Sequence, residues 1–305
     1  GPCRCLNAMD CNCGGKVYNP RNERIYDAAR RSFLPAAASQ RLSAELLGRK
    51  VVTIGEVHSN PCHHHCEFEI IRALANNANN NLAIGLECFY RQHQRALDRY
   101  IFQHGDIGLL KNETSWDTEW GYDLNYYAKV FNFAKQRRIR LVGLNIPYPI
   151  ARFVGVNGLD ALPADVKSML PGIDLTDATH RAQFMNLIGA GHESPMLMDT
   201  DNPPRNRNSL QAMYESQCLW EEYMSQSVAS YINTHPDSVV CVIAGLGHII
   251  GRRGIPNRIA KRTDTKPFVV VPLQVEWSEE TGLPDIDDPL SVDACDWAWY
   301  TEAPV

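Results

Sequence analysis

The chain lacks a membrane-length apolar run: no stretch approaches the roughly 20 residues that a helical span requires. It also lacks an excess of basic charge. Lys+Arg number 30 against 35 Asp+Glu, a net charge of -5. The basic residues are scattered rather than blocked, so there is no electrostatic footprint for nucleic acid. No secretory leader is visible at the start. Gly1-Pro2 matches the scar that a protease leaves at a fusion junction, so the missing leader says nothing of compartment. What remains is ordinary globular composition, 44% hydrophobic and 21% charged over 305 residues. That length suits one large domain or two small ones.

Cysteine is not scarce. Four of the ten lie in Cys3-Arg4-Cys5 and Cys11-Asn12-Cys13, a spacing open to a zinc clip, to disulfides or to a cysteine-rich flexible tail. The other six, Cys62, Cys66, Cys88, Cys218, Cys241 and Cys295, are dispersed. Cys88 and Cys241 fall in or beside strand-like runs and read as small buried hydrophobes.

Strand-like runs recur at Lys50 to Gly55, Leu82 to Glu87, Ile139 to Leu144, Val239 to Gly245 and Phe268 to Val275. Helical periodicity lies between them. Asn60-Pro61 reads as an N-cap followed by proline at the first helical position, opening a helix to about Leu74. Further helices are expected over Arg91 to Gln103 and Leu124 to Arg137. The region 147–235 has no strand signal and breaks into helical pieces: Ala151 to Val156, Ala164 to Leu170, Ala178 to Ile188 and the long Asn208 to Asn233. Pro256 to Arg262 reads as a short helix. Strands alternating with helices predict an α/β fold. The expected fold is a mostly parallel sheet with helices on both faces and a helical insertion or lid between the third and fourth of these strands. The expected organisation is a cysteine-rich head and entry segment (1–40), a single α/β domain (41–277, with the insertion at 147–235) and an irregular acidic tail (278–305).

In open α/β sheets, ligands bind at the carboxyl ends of the strands. Those ends read Gly55-Glu56-Val57-His58, then Glu87, then Asn145, then Gly245-Leu246-Gly247-His248. Two histidines, two carboxylates and an amide are thus expected on one edge of the sheet. His63 and His64, in the first turn of the next helix, can face the same crevice, and Arg91 lies near. Imidazole and carboxylate suit a divalent metal such as zinc, manganese or iron with an open position for water. His58 and His248 would be ligands, and Glu56 or Glu87 a third ligand or the general base. Consecutive histidines on a helix point in different directions, so one member of His63-His64-His65 is expected to face the site. Tyrosine binds ferric haem as phenolate, which keeps Tyr90, Tyr122, Tyr148 and Tyr214 as candidates.

Gly55-Glu56-Val57-His58-Ser59-Asn60-Pro61-Cys62-His63-His64 resembles the opening motif of the ChaN-like haem-binding uptake proteins. Gly85-Leu86-Glu87-Cys88-Phe89-Tyr90-Arg91-Gln92-His93-Gln94 resembles their second block. Trp120-Gly121-Tyr122-Asp123 with Tyr127 resembles the third, and Leu144-Asn145-Ile146-Pro147 the fourth. Ala244-Gly245-Leu246-Gly247-His248 with Gly254-Ile255-Pro256-Asn257-Arg258 resembles the closing block. The paired glycine-to-histidine runs also resemble the wider Tiki/TraB superfamily, with its metal-dependent peptidases and erythromycin-esterase-like hydrolases. Ser59, Glu222, Tyr223 and Ser225 depart from the usual family residues.

The resemblance implies haem (tetrapyrrole) as ligand, a tyrosine on the iron and a cofacial haem pair at a homodimer interface. The candidates are Tyr122, Tyr148, Tyr214, His63 and His64, with Asn145 and Arg91 in support. Two functions stand against each other. One is haem binding for uptake, transfer or handling, with Met185, Met196, Met198 and Met213 as adaptable pocket walls. The other is metal-dependent hydrolysis of a peptide or ester by the strand-end His/Glu cluster. A protein-interaction domain with a relict site is a third. By analogy, tetrapyrrole handling suggests a plastid if the source is a eukaryote, as the asparagine tract hints. In a bacterium it suggests the periplasm or a membrane tether.

Overall fold

A computed structural model describes residues 22–35, 38–77, 81–189 and 207–303. Cys3, Cys5, Cys11, Cys13, Met196 and Met198 lie outside them. Among the described residues, eight strands form one sheet: β1 (Glu23–Asp27), β2 (Ser32–Phe33), β3 (Val51–Glu56), β4 (Leu82–Tyr90), β5 (Arg140–Asn145), β6 (Val239–Gly245), β7 (Phe268–Gln274) and β8 (Trp297–Thr301). Their spatial order is β2-β1-β8-β7-β3-β6-β4-β5. From β8 to β5 every neighbouring pair is parallel. β1 runs antiparallel to β8 and β2.

Helices cover both faces, which is why the central strands read as unbroken apolar runs. Side chains along a strand alternate between faces. Val52, Ile54, Ile84, Leu86, Cys241 and Ile243 point into one core, with Ile70, Leu97 and Phe131. Those three come from helices Pro61–Asn77, Gln94–Phe102 and Asn125–Arg137. Val51, Ala83, Val240, Val242 and Ala244 point into a second core, with Ala151, Leu219, Trp220, Met224 and Ile259. The fold class is therefore the expected one.

The helix after β3 starts as its sequence predicts. Asn60 Oδ1 accepts from the backbone N–H of Cys62 at 2.9 Å and Pro61 opens the helix, a side-chain cap over donors that would otherwise have no partner. Among the described residues, four α-helices lie between β5 and β6 in the expected insertion: Tyr148–Asn157, Ala164–Ser168, Ala178–Gly189 and Arg207–Thr234. The long Arg207–Thr234 helix is more than a cover, because Leu219, Trp220, Met224 and Val228 are buried against the sheet.

One expectation is corrected. The segment after Ser278 is not irregular throughout: Trp297–Thr301 is a fully buried strand inserted between β7 and β1. An acidic, proline-containing stretch precedes it and hides a five-residue aromatic run. β1 and β2, from the part of the chain ahead of residue 41, extend the same sheet. Trp299 is buried and its indole N–H donates to Glu23 Oε2 at 3.0 Å. Removing a buried tryptophan costs about 3–5 kcal/mol. Trp299→Ala should therefore lower the free energy of unfolding by about that much, read as a lower urea midpoint at unchanged slope. An unchanged midpoint would mean that β8 is not part of the folded core.

Candidate functional site

The strand ends converge, but on two faces. Glu56 has the parity of Val52 and Ile54 and faces the first core. Glu87 has the parity of Ala83 and faces the second. Between them lies β6, whose Gly245 pairs in register with Glu56. A Cβ on Gly245 would sit 3.2 Å from His58 Nε2 and 3.5 Å from Glu87 Oε2. Glycine at this position lets the imidazole and the second carboxylate close over the sheet end.

On the first face, Glu56 is 2% exposed. Its Oε1 accepts from the Tyr127 hydroxyl at 2.7 Å and from His58 Nδ1 at 2.7 Å. Burial alone would push this carboxyl up; the charge on His64 and the bond from His58 overturn that and hold it well below the usual range. His64 Nε2 bonds the His58 carbonyl at 2.9 Å, while its Nδ1 lies 2.9 Å from Glu67 Oε2 and 3.3 Å from Glu56 Oε2. Against burial, Glu67 and Glu56 push His64 up to about 9. Burial, and then the charge of neighbouring Glu56, raise Glu67 well above its ordinary value. His63 Nδ1 accepts from the Val57 backbone at 3.0 Å, and burial pulls this imidazole down to about 4.

On the second face, Glu87 Oε2 accepts from the Gly245 backbone N–H at 2.6 Å and Oε1 lies 3.4 Å from His248 Nε2. His248 Nδ1 is 2.8 Å from Gln217 Nε2 and 3.2 Å from Glu221 Oε1. Glu221, on the long helix, also meets His180 Nε2 at 3.0 Å and Arg258 Nε at 3.2 Å. Burial disfavours the His248 imidazolium, but Glu87 and the hydrogen-bonded Glu221 outweigh it and push the group up to about 10.

The remaining predicted residues take varied places. Asn145 Nδ2 donates to the Glu87 carbonyl at 3.0 Å and braces the end of β4. Arg91 turns to the long helix, bonding Ser227 Oγ and Gln226 Oε1 and lying 3.8 Å over the Tyr223 ring. Tyr122 stands at the crevice: its ring centroid is 5.0 Å from His58 and 5.4 Å from Trp120. Burial, Glu87 and Glu56 push its phenol up to about 12. Tyr90 donates its hydroxyl to Glu119 Oε2. Tyr148 packs against the second core. Tyr214 is 0% exposed, with its hydroxyl 3.0 Å from His180 Nδ1.

Sequence reasoning missed Glu67, Tyr127, Gln217, Glu221, His180 and Arg258. Four had a usable signal: Tyr127 and Arg258 stand in the blocks that carry the family resemblance, Glu67 follows His64 at i+3 on a helix, and Glu221 follows Gln217 at i+4. The predicted metal set of His58, His248, Glu56 and Glu87 meets at the sheet end. Among the described residues, however, the three ligand atoms that lie within 4.8 Å of one another belong to Glu56, His64 and Glu67.

Comparisons with known proteins place this architecture. The family model described as haem-binding uptake, Tiki superfamily, ChaN, matches residues 42–259, and the chain belongs to that family. Among solved structures it is similar to ChaN of Campylobacter jejuni, described with cofacial haem binding. The TM-score is 0.67 at 21% identity, covering 92% of this chain and 96% of that one. More distant likenesses are the type III effector HopBA1 (TM-score 0.47, 12% identity, 87% of this chain, 93% of that one) and the erythromycin esterase EreC in an open conformation (0.45, 13%, 87% and 82%). Comparison with curated proteins gives no match.

A proton held more tightly in the folded than in the unfolded state stabilises the fold below the unfolded pKa. For His248 that contribution is full below about pH 6.5 and is lost as pH rises through about 10. Denaturant-derived stability should fall across this window, and His248→Gln should flatten the fall. An equal slope in the variant would remove His248 as its source.

Proposed function

We propose that the chain binds haem, in uptake, transfer or handling of the group, with Tyr122 as the iron ligand at the mouth of the strand-end crevice. The family match carries the haem reading. The choice of ligand rests on position. Of the named tyrosines, Tyr122 is the half-buried one whose ring abuts His58 and Trp120. The Tyr214 hydroxyl is sealed against His180, and that of Tyr90 is committed to Glu119. His63 and His64 are turned inward, onto the Val57 backbone, Glu67 and the His58 carbonyl. Val57, at the head of the same loop, is 46% exposed and offers apolar surface beside the crevice.

Bound ferric haem supplies a hard Lewis acid that favours a phenolate oxygen. Trp120 and His58 fix the Tyr122 ring so that its hydroxyl is presented without loss of rotamer freedom on binding. In the C. jejuni protein the haems are described as cofacial. The same arrangement here would pair two copies of the chain as a homodimer.

A second reading has one specific observation behind it. Two carboxylate–imidazole pairs, Glu56–His58 and Glu87–His248, face each other across Gly245. Such pairs are the parts of acid–base hydrolysis of a peptide or ester, with a divalent zinc, manganese or iron ion activating water. Glu56 or Glu87 would be the base. A metal-dependent peptidase or esterase rate that Glu87→Gln reduces at least 100-fold would favour this reading.

Titration with haemin tests the first reading. A Soret shift at micromolar haemin is expected. Tyr122→Phe should weaken binding at least tenfold, about 1.4 kcal/mol, while Tyr148→Phe and Tyr214→Phe stay within twofold. No shift with the wild type removes the carrier function. A shift that Tyr122→Phe leaves unaltered removes Tyr122.

A further inference from the structure

The deep cluster behind β3 has a feature that neither haem binding nor hydrolysis uses. Three acceptors converge inside the protein. His64 Nε2 meets a carbonyl oxygen, that of His58, at 2.9 Å. A carbonyl only accepts, so this nitrogen carries the proton, and in the neutral ring Nδ1 presents a lone pair. That lone pair faces two carboxylates, with Glu67 Oε2 at 2.9 Å and Glu56 Oε2 at 3.3 Å. Glu56 and Glu67 are 2% and 0% exposed, and one oxygen of each, Glu56 Oε2 and Glu67 Oε1, has no hydrogen-bond donor. Two buried carboxylates around an imidazole need a positive charge between them, and a proton on His64 Nδ1 or a bound cation in its place supplies it.

We infer that Glu56, His64 and Glu67 form a buried site for a small divalent ion of the zinc or manganese type. One nitrogen and two carboxylates are the mixed donor set that such ions take. The surroundings match what a metal site needs outside its ligands. A ligating histidine generally donates its other N–H to a backbone carbonyl, which fixes ring and tautomer; His64 does this through the His58 carbonyl. A ligating carboxylate is held by hydrogen bonds to its other oxygen; Glu56 Oε1 takes the Tyr127 hydroxyl and His58 Nδ1. Tyr126 stacks on the His64 ring at 5.3 Å and Tyr127 meets its edge at 4.6 Å, closing the cluster from water. Glu56 thus serves two places at once, one oxygen for the ion and one for the crevice. Charge placed at Oε2 is felt at His58.

The site shares no residue with the Tyr122 haem proposal and only Glu56 with the strand-end metal of the hydrolase reading, so His64 and Glu67 on one side and His248 on the other tell the two metal positions apart. The test is equilibrium dialysis of the chelator-treated full chain against Mn2+ and, separately, Zn2+, with metal content read by mass spectrometry. One equivalent is expected. Glu67→Gln, nearly isosteric, should raise the Mn2+ dissociation constant at least tenfold, while His248→Gln changes it less than twofold. Pulsed EPR of the Mn2+-loaded wild type decides the matter if a variant does not fold. One coupled imidazole nitrogen supports the Glu56–His64–Glu67 site. Two imidazoles, as His58 with His248 would give, overturn it. So do a folded wild type that retains neither ion and a Glu67→Gln variant that binds as tightly as wild type.

Discussion

Buried carboxylate charge is the constraint on which this structure turns. Glu56, Glu67, Glu87 and Glu221 all lie inside the protein, where an unpaired carboxylate costs several kcal/mol. Each has a basic partner brought by another part of the chain or from a nearby turn. His58 and His64 answer Glu56 and Glu67, and His248 answers Glu87. His180 and Arg258 answer Glu221. These pairings tie together β3, β4, the short helix Leu246–Ile249 after β6, the long helix and the helix Ile255–Arg262. The elements that carry the site are therefore held by the same charges that give it chemistry. A shift of any one would leave a carboxylate unanswered.

Strand order makes the arrangement possible. β6 lies between β3 and β4 although it comes far later in the chain. Its last residue, Gly245, pairs with Glu56 and donates its N–H to Glu87 Oε2, so it lies between the two carboxylates. A Cβ there would lie 3.2 Å from the His58 ring and press it back by a few tenths of an ångström, so glycine at 245 serves the close packing of the site rather than a turn. A second close approach backs it. A Cβ on Gly254 would press on the His248 carbonyl and lie 2.8 Å from Glu221 Oε1, so the turn between the short helix of His248 and the helix Ile255–Arg262 can pack on Glu221 only without one.

Much of this is legible in the residues. Apolar runs buried on both faces, the Asn60–Pro61 helix start and the glycine-histidine runs all speak for themselves, because each rests on local backbone or on strand parity. β8 does not. Five residues with two tryptophans, after a stretch rich in aspartate and proline, have no length to declare a strand, and their burial comes from β7, the strand before, and from β1 at the other end of the chain. The direction of long side chains is equally hidden. Arg91 follows β4 directly and looks like a crevice residue, yet the Tyr223 ring and the Ser227 hydroxyl draw it to the long helix. Tyr214 looks available on an amphipathic helix, but its hydroxyl is fixed by a histidine 34 positions earlier in the chain. Glu67 was hidden by its neighbours. In a run of three histidines and two cysteines, the eye settles on those, while the acid three residues after His64 completes the cluster.

The two functional readings differ in what they ask of the crevice floor. A hydrolase needs a base whose lone pair is free and a metal position open to water. Here the acid–base groups are largely consumed by one another. Glu56 Oε1 is shared by Tyr127 and His58, Glu87 Oε2 is bound to a backbone N–H, and His248 is gripped by Glu87, Glu221 and Gln217. The floor is polar but internally paired. The mouth is of a different character, since Trp120 and Tyr122 stand against His58 there. Flat aromatic side chains around one phenol favour a planar ligand that meets the protein at a single polar atom. A tetrapyrrole has that shape and chemistry; an extended peptide or ester, which needs polar groups along its length, does not. The balance of pairing within the floor against aromatic surface at the mouth is thus a physical ground, independent of family, for preferring the haem reading over hydrolysis.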